Sequence, residues 1–220
     1  MDEGKNYRKK RWILLMAMII PFTLLTSCQV ASLVNTQVNY ADPGLTAITL
    51  NDGGLVILPV VAGGGAEVYR RPFSDTMTKF ADSLLTNYMP WNQVHTMLNE
   101  TGLVNDYTSA IRSYQDTGVM DYALLRKLAQ QTGSRYYLYV NLYPPLSEQR
   151  VNYISDGSGT VRDIEELNAF GLVWDAFTGE VVYEGTVSAR LSISGIFYSK
   201  ETDLDRVLKV AEALMADLIK

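Results

Sequence analysis

The chain has 220 residues, of which 47% are hydrophobic and 20% charged, with one cysteine, one histidine and a net charge of −5. A single cysteine excludes a disulfide framework and a cysteine-rich zinc cluster. The acidic balance argues against nucleic acid as a partner bound through charge.

The first 27 residues combine a basic start (Lys5, Arg8, Lys9, Lys10, Arg11) with an apolar run from Trp12 to Leu25. That run is shorter than the ~20 residues a spanning helix needs, so residues 1–27 read as a secretory signal peptide. Leu25-Thr26-Ser27-Cys28 resembles a bacterial lipobox, which implies a diacylglycerol thioether on Cys28, cleavage before it, and acylation (palmitate) of the new N-terminus. Several acyl chains hold a protein on a bilayer stably. Gln29 in place of aspartate after the cysteine favours the periplasmic face of the outer membrane. Removing the leader takes five of 19 basic and two of 24 acidic residues, leaving 14 against 22 and a net charge of −8. The remaining 193 residues (220 minus 27) suffice for one domain that buries about 70% of its unfolded surface.

Residues 28–44 are polar, lack periodicity and end in the turn signal Asp42-Pro43-Gly44; the lipidated cysteine followed by a flexible tether is the expectation. The globular domain then spans 45–220. Leu45 to Leu50 is read as a strand that pairs with Gly54 to Val61, a continuous apolar run suited to a strand buried on both faces. In LPVVAGGGAEVYRRPFSD, Leu58 to Asp75, three glycines precede a helix start, the order of a phosphate loop. Val68 stands where a dinucleotide motif needs glycine or alanine, and no Lys-Ser or Lys-Thr pair follows, so no nucleotide site is expected. What remains is a mobile loop offering Tyr69, Arg70, Arg71 and Phe73 as a partner-binding site.

From Ser74 the positions Met77, Phe80, Ala81, Leu84, Leu85 and Tyr88 follow helical spacing up to Pro90. Val94 to Leu98 is read as a short strand. A helix striped by Leu103, Tyr107, Ile111 and Tyr114 comes next, then one carrying Leu125, Leu128 and Ala129 behind an Asp121 N-cap. In RYYLYVNLY the period becomes two: Tyr136, Leu138, Val140 and Leu142 share one face, while Tyr137, Tyr139, Asn141 and Tyr143 share the other. The second face is amphipathic, and its tyrosines are a rival partner-binding patch. Val151 to Glu166 reads as a turn between weaker strands. AFGLVWDAFTGEVVYEGTVSARLSI is a hairpin about Thr178-Gly179; Phe170, Leu172 and Trp174 alternate in one arm, and Val181, Tyr183, Val187, Ala189, Leu191 and Ile193 in the other. A final helix from Asp203 aligns Leu204, Val207, Leu208, Ala211, Leu214, Met215 and Leu218. The order predicts an α+β fold, a mixed β-sheet covered by amphipathic helices in a single compact domain.

Chemistry-bearing motifs are sparse. His95 is the sole histidine and no nucleophile elbow accompanies it, so catalysis is not expected. Asp156 to Thr160 faintly matches a calcium loop, but Val161 and Leu167 occupy positions that need glycine and glutamate, which makes it a polar turn. No metal or cofactor is expected.

The VILP-type first strand (Val56 to Val60), Leu128 to Gly133 with Tyr136 to Val140, and Trp174-Asp175 with Thr178-Gly179-Glu180 resemble the fold shared by the TolB amino-terminal domain, the curli-secretion lipoproteins and the lipoprotein activators of penicillin-binding proteins. The resemblance implies a non-enzymatic docking or assembly factor for cell-envelope machinery, bound to the bilayer through Cys28 and to an envelope protein, with self-assembly as an option. The alternative it implies is a subunit of an oligomeric outer-membrane secretion pore. Val181 to Ile193 is long enough for a membrane strand, but its partner arm, read as Phe170 to Asp175, is too short to match.

Overall fold

The computed structural model describes residues 32–153, 159–194 and 201–219. The expected leader, Cys28 and the centre of the Asp156 turn lie outside them. In chain order the elements are β1 (Leu33–Ala41), α1 (Ala47–Gly53), β2 (Leu55–Ile57), β3 (Val61–Ala62), α2 (Arg70–Leu84), β4 (Tyr88–Met89), α3 (Trp91–Thr101), α4 (Val104–Thr117), α5 (Tyr122–Thr132), β5 (Tyr136–Leu142), β6 (Leu146–Tyr153), β7 (Gly159–Asp175), β8 (Val181–Ser194) and α6 (Asp203–Leu218). The strands form one mixed sheet ordered β1-β8-β7-β5-β2-β4, with β3 on β5 and β6 on β7. β2 is parallel to β4 and β5, while β5, β7, β8 and β1 are successively antiparallel. The fold is α+β, as the pattern predicts.

Helices cover both faces. On one, α2 and α6 bury Phe73, Met77, Ala81, Val207, Val210, Leu214 and Met215 against Leu138, Val140, Val173, Val187 and Ala189. On the other, α3, α4 and α5 bury Val94, Leu98, Ile111, Leu125 and Leu128 against Val56, Tyr137, Tyr139, Leu172 and Trp174. The alternation in β5 therefore splits one strand between two cores. Close approach of α6 to β7 requires Gly171, where an added Cβ would stand 2.7 Å from Leu214 Cδ1. Local signals set the helix ends. Asp121 Oδ1 accepts from the amides of Ala123 and Leu124, Thr202 and Asp205 form a capping box at α6, and α3, α4 and α5 stop at Gly102, Gly118 and Gly133, each in the left-handed region where a Cβ is disfavoured.

Several expectations need correction. The flexible tether is not one over most of its length, because Leu33–Ala41 is β1, paired with β8 from Leu33↔Arg190 to Ala41↔Tyr183. An edge strand need not be apolar, and polar, exposed edges resist aggregation, so its composition hid it. Leu45 to Leu50 lies largely in helix α1, started by a Thr46/Thr49 capping box. Val94 to Leu98 belongs to helix α3, and the short strand is Tyr88–Met89 just before it. Pro59 separates β2 from β3. Helix α2 begins at Arg70, behind a 3-10 turn at Ala66–Tyr69, so the glycine loop is shorter than the reading from Ser74 implied. The arm opposite β8 is not short: β7 pairs with it from Arg162↔Ser194 to Trp174↔Val181.

Candidate functional site, a cleft at the carboxyl ends of parallel strands

β2 leads through β3 to α2 on one face of the sheet, and β4 leads to α3 on the other. Chains that depart to opposite faces open a crevice beyond the carboxyl ends of their strands, where α/β sheets commonly bind ligands. Here that crevice is a cleft of about 250 Å³ lined by Pro59, Val60, Glu67, Arg70, Arg71, Ser74, Trp91 and His95. Pro59 and Val60 follow β2, Arg70, Arg71 and Ser74 come from the first turns of α2, and Trp91 and His95 come from the start of α3.

The polar groups of the cleft are held by local bonds. Arg70 Nη2 donates to Ala62 O at 3.3 Å, and Ser74 Oγ donates to Arg70 O at 2.9 Å. Arg71 Nε lies 3.7 Å from Asp75 Oδ2, and Trp91 Nε1 donates to Asp75 Oδ1 at 3.2 Å. The Glu67 carboxylate accepts from the Gly65 amide at 2.8 Å. Backbone hydrogen bonds from its own and the Gly65 amide, with the Arg70 charge, hold its pKa below the ordinary value of 4.5, so it stays ionised. Asn99 Nδ2 sits 3.2 Å from His95 Nδ1 and donates to His95 O at 2.8 Å, which fixes the histidine at the solvent side of the helix.

The structure divides the expected contact residues. Arg70 and Arg71 are exposed, as expected of contacts. Phe73 is not, because its side chain is fully buried under α2. Tyr69 is half-buried, and its hydroxyl donates to Asp203 Oδ2 at 3.0 Å; burial first, then this bond, pushes its pKa up. It ties the turn to the start of α6 and presents little to a partner. Tyr137 and Tyr139 are corrected outright, being buried beneath α3, α4 and α5. Tyr114 stacks edge-on against Tyr139 and Trp174 with ring centroids 5.2 and 5.0 Å apart. Tyr137 shares a 2.6 Å hydrogen bond with Thr132, and burial pushes both phenols up to about 12. Of that face's tyrosines only Tyr143, 43% exposed, reaches solvent.

Sequence reasoning missed Trp91 because the segment after it, Val94 to Leu98, was read as a strand and not as part of the helix Trp91–Thr101. It also missed an open groove of about 430 Å³ lined by Tyr122, Arg126, Ala129, Gln130, Ala176 and Phe177. The Tyr122 hydroxyl donates to Phe177 O at 2.6 Å, and the guanidiniums of Arg126 and Arg135 stand 5.8 Å from the Tyr122 and Phe177 ring centroids. A signal was present, since Phe177 puts a large aromatic inside the Thr178-Gly179 turn. Among the described residues no group of three or more metal-ligating side chains occurs, and no helix is long and apolar enough to cross a membrane.

No family model matches the chain, and no curated protein sequence matches it. Solved structures that resemble it include a PelC dodecamer from Paraburkholderia phytofirmans (L103M variant, 13% identity, TM-score 0.38, covering 85% of this chain and 97% of that one). The lipoprotein GNA1162 from Neisseria meningitidis is similar at 14% identity, TM-score 0.44, and 76% and 97% coverage. The hypothetical protein CT253 from Chlamydia trachomatis gives 14%, 0.39, and 76% and 92%. Likenesses this distant leave function to the chain's own residues.

Proposed function

We propose that the chain is a non-enzymatic docking factor of the bacterial cell envelope, anchored through acylated Cys28 to the periplasmic face of the outer membrane. The reading rests on the Leu25-to-Cys28 motif for the anchor and on the cleft for docking. The carrying observation is that Arg70, Arg71 and Trp91 converge on one crevice, since arginine and tryptophan are the types that dominate binding energetics at interfaces. The partner is an envelope protein, with no cofactor and no nucleic acid.

The test is crosslinking in cells. Arg70→Glu with Arg71→Glu should leave stability within about ±0.5 kcal/mol, as exposed substitutions do, and should weaken capture of the protein that crosslinks to wild type. A folded double variant that captures it equally well overturns the cleft as the docking site. Cys28→Ala should release the protein from membranes or leave it uncleaved; a processed, membrane-bound variant overturns the anchor.

The pore-subunit reading gains from one observation, the long β7–β8 pairing. That length is accounted for within the domain, because Tyr183, Val187 and Ala189 of β8 lie in the core and β1 occupies its outer edge. Detergent-requiring rings from a chain starting at Gln29 would reverse this choice.

A further inference from the structure

Because Leu33–Ala41 is a strand, the anchor is short. Ser32 is pinned as well, its amide and hydroxyl donating to Glu201 at 2.6 and 2.5 Å, and Lys209 Nζ lies 3.0 Å from the same carboxylate. Only three residues separate Ser32 from Cys28, so the stem reaches at most about 14 Å when fully extended.

The sheet runs past this point in the same direction. Leu33, Arg190, Glu166 and Leu146 lie on one line across β1, β8, β7 and β6. β1 is antiparallel to β8, so the path from Leu33 back to Cys28 runs the way β8 continues to Ser194 and β6 continues to Tyr153. β6 and β7 stay paired from Leu146↔Glu166 to Tyr153↔Gly159, seven steps that extend about 23 Å at ~3.3 Å per residue. From the same line Cys28, five residues before Leu33, lies at most about 18 Å away, so the ribbon projects farther than the stem can reach. With the strands upright on the bilayer that holds Cys28, this end of the sheet therefore meets the surface.

We infer that the β6–β7 ribbon rests on the surface of the bilayer that holds Cys28. The inference depends on the lipid-anchor reading above. The starts of α2 and α6 lie at this same end, joined by Tyr69 and Asp203, so the Arg70/Arg71 cleft opens toward the membrane side. The β7–β8 turn at Phe177 lies at the other end of the sheet, facing away.

The test uses the acylated protein on phosphatidylethanolamine/phosphatidylglycerol vesicles that carry doxyl-labelled lipid. With Cys28 blocked by acylation, Tyr153→Cys, Gly159→Cys and Phe177→Cys each accept one environment-sensitive fluorophore. Shallow doxyl groups should quench the Tyr153 or Gly159 label several-fold more than the Phe177 label. Equal quenching at both ends overturns the inference, and stronger quenching by deep than by shallow doxyl overturns surface contact in favour of insertion. A Gly/Ser spacer inserted between Gln29 and Ser32 should abolish the difference; a difference that persists shows that the stem does not impose the contact. Flotation with vesicles separates the two readings, since a protein that fails to float has lost the anchor itself.

Discussion

Asp175 shows how one carboxylate fixes a corner of the fold. Its side chain is 3% exposed, and it accepts from Arg135 at 2.6 Å and from the Phe177 amide at 2.8 Å. Burial pulls its pKa up, but the Arg135 bond and the Phe177 and Thr178 amides outweigh that and hold it below the ordinary 3.8. A lowered pKa means that this stability is present above the unfolded value and is lost as pH falls through the folded one. Asp175→Asn should therefore cost about 2 kcal/mol at neutral pH, the range of hydrogen bonds to charged groups. In denaturant titrations the gap from wild type should narrow below about pH 4; a gap independent of pH would show that the charge does not matter. Trp174, 2% exposed between Tyr114 and Tyr139, should cost about 3–5 kcal/mol on replacement by alanine. A loss under about 1 kcal/mol would contradict its place in the core.

β1 depends on β8 in a way its own residues do not announce. It contributes little apolar surface, with Leu33, Val38 and Tyr40 exposed. Its role is to satisfy the outer backbone groups of β8, whose inner residues are in the core. A chain starting at Asp42 should melt lower than one starting at Gln29 and aggregate on heating, because it bares a long edge; equal melting and equal light scattering would show β1 to be dispensable. The same elements show what the sequence makes legible. β5, the β7–β8 hairpin, α5 and α6 were readable because alternation, a turn dipeptide, an Asp121 cap and a helical stripe are local. β1, α1 and α3 were not. β1 is decided by β8, far away in sequence, and α3 starts behind Pro90, which offers no side-chain cap. In α1 a favoured Thr46 cap precedes only seven residues, too few for a helical stripe to show.

The two cores meet in a single sheet, since β2, β5 and β7 send alternate residues to each. Loss of either helical layer exposes one face of the same strands. The domain should therefore unfold in one cooperative transition, with calorimetric and van't Hoff enthalpies in agreement. Two separated transitions would mean that α3, α4 and α5 melt apart from the rest.

By itself the sequence determined the α+β class and the strands and helices whose periodicity is strong, and it supplied the Leu25-to-Cys28 stretch on which the proposed anchor rests, because each is written in neighbouring residues. The tertiary structure decided which side chains are available. It buried Tyr137, Tyr139 and Phe73, leaving Arg70 and Arg71 exposed, because whether an amphipathic face meets water or a helix depends on what packs over it. It joined Trp91 and His95 to those arginines across the crevice between α2 and α3. It also turned most of a tether into a strand, because the bonds that hold Leu33–Ala41 belong to β8, some 150 residues away in sequence.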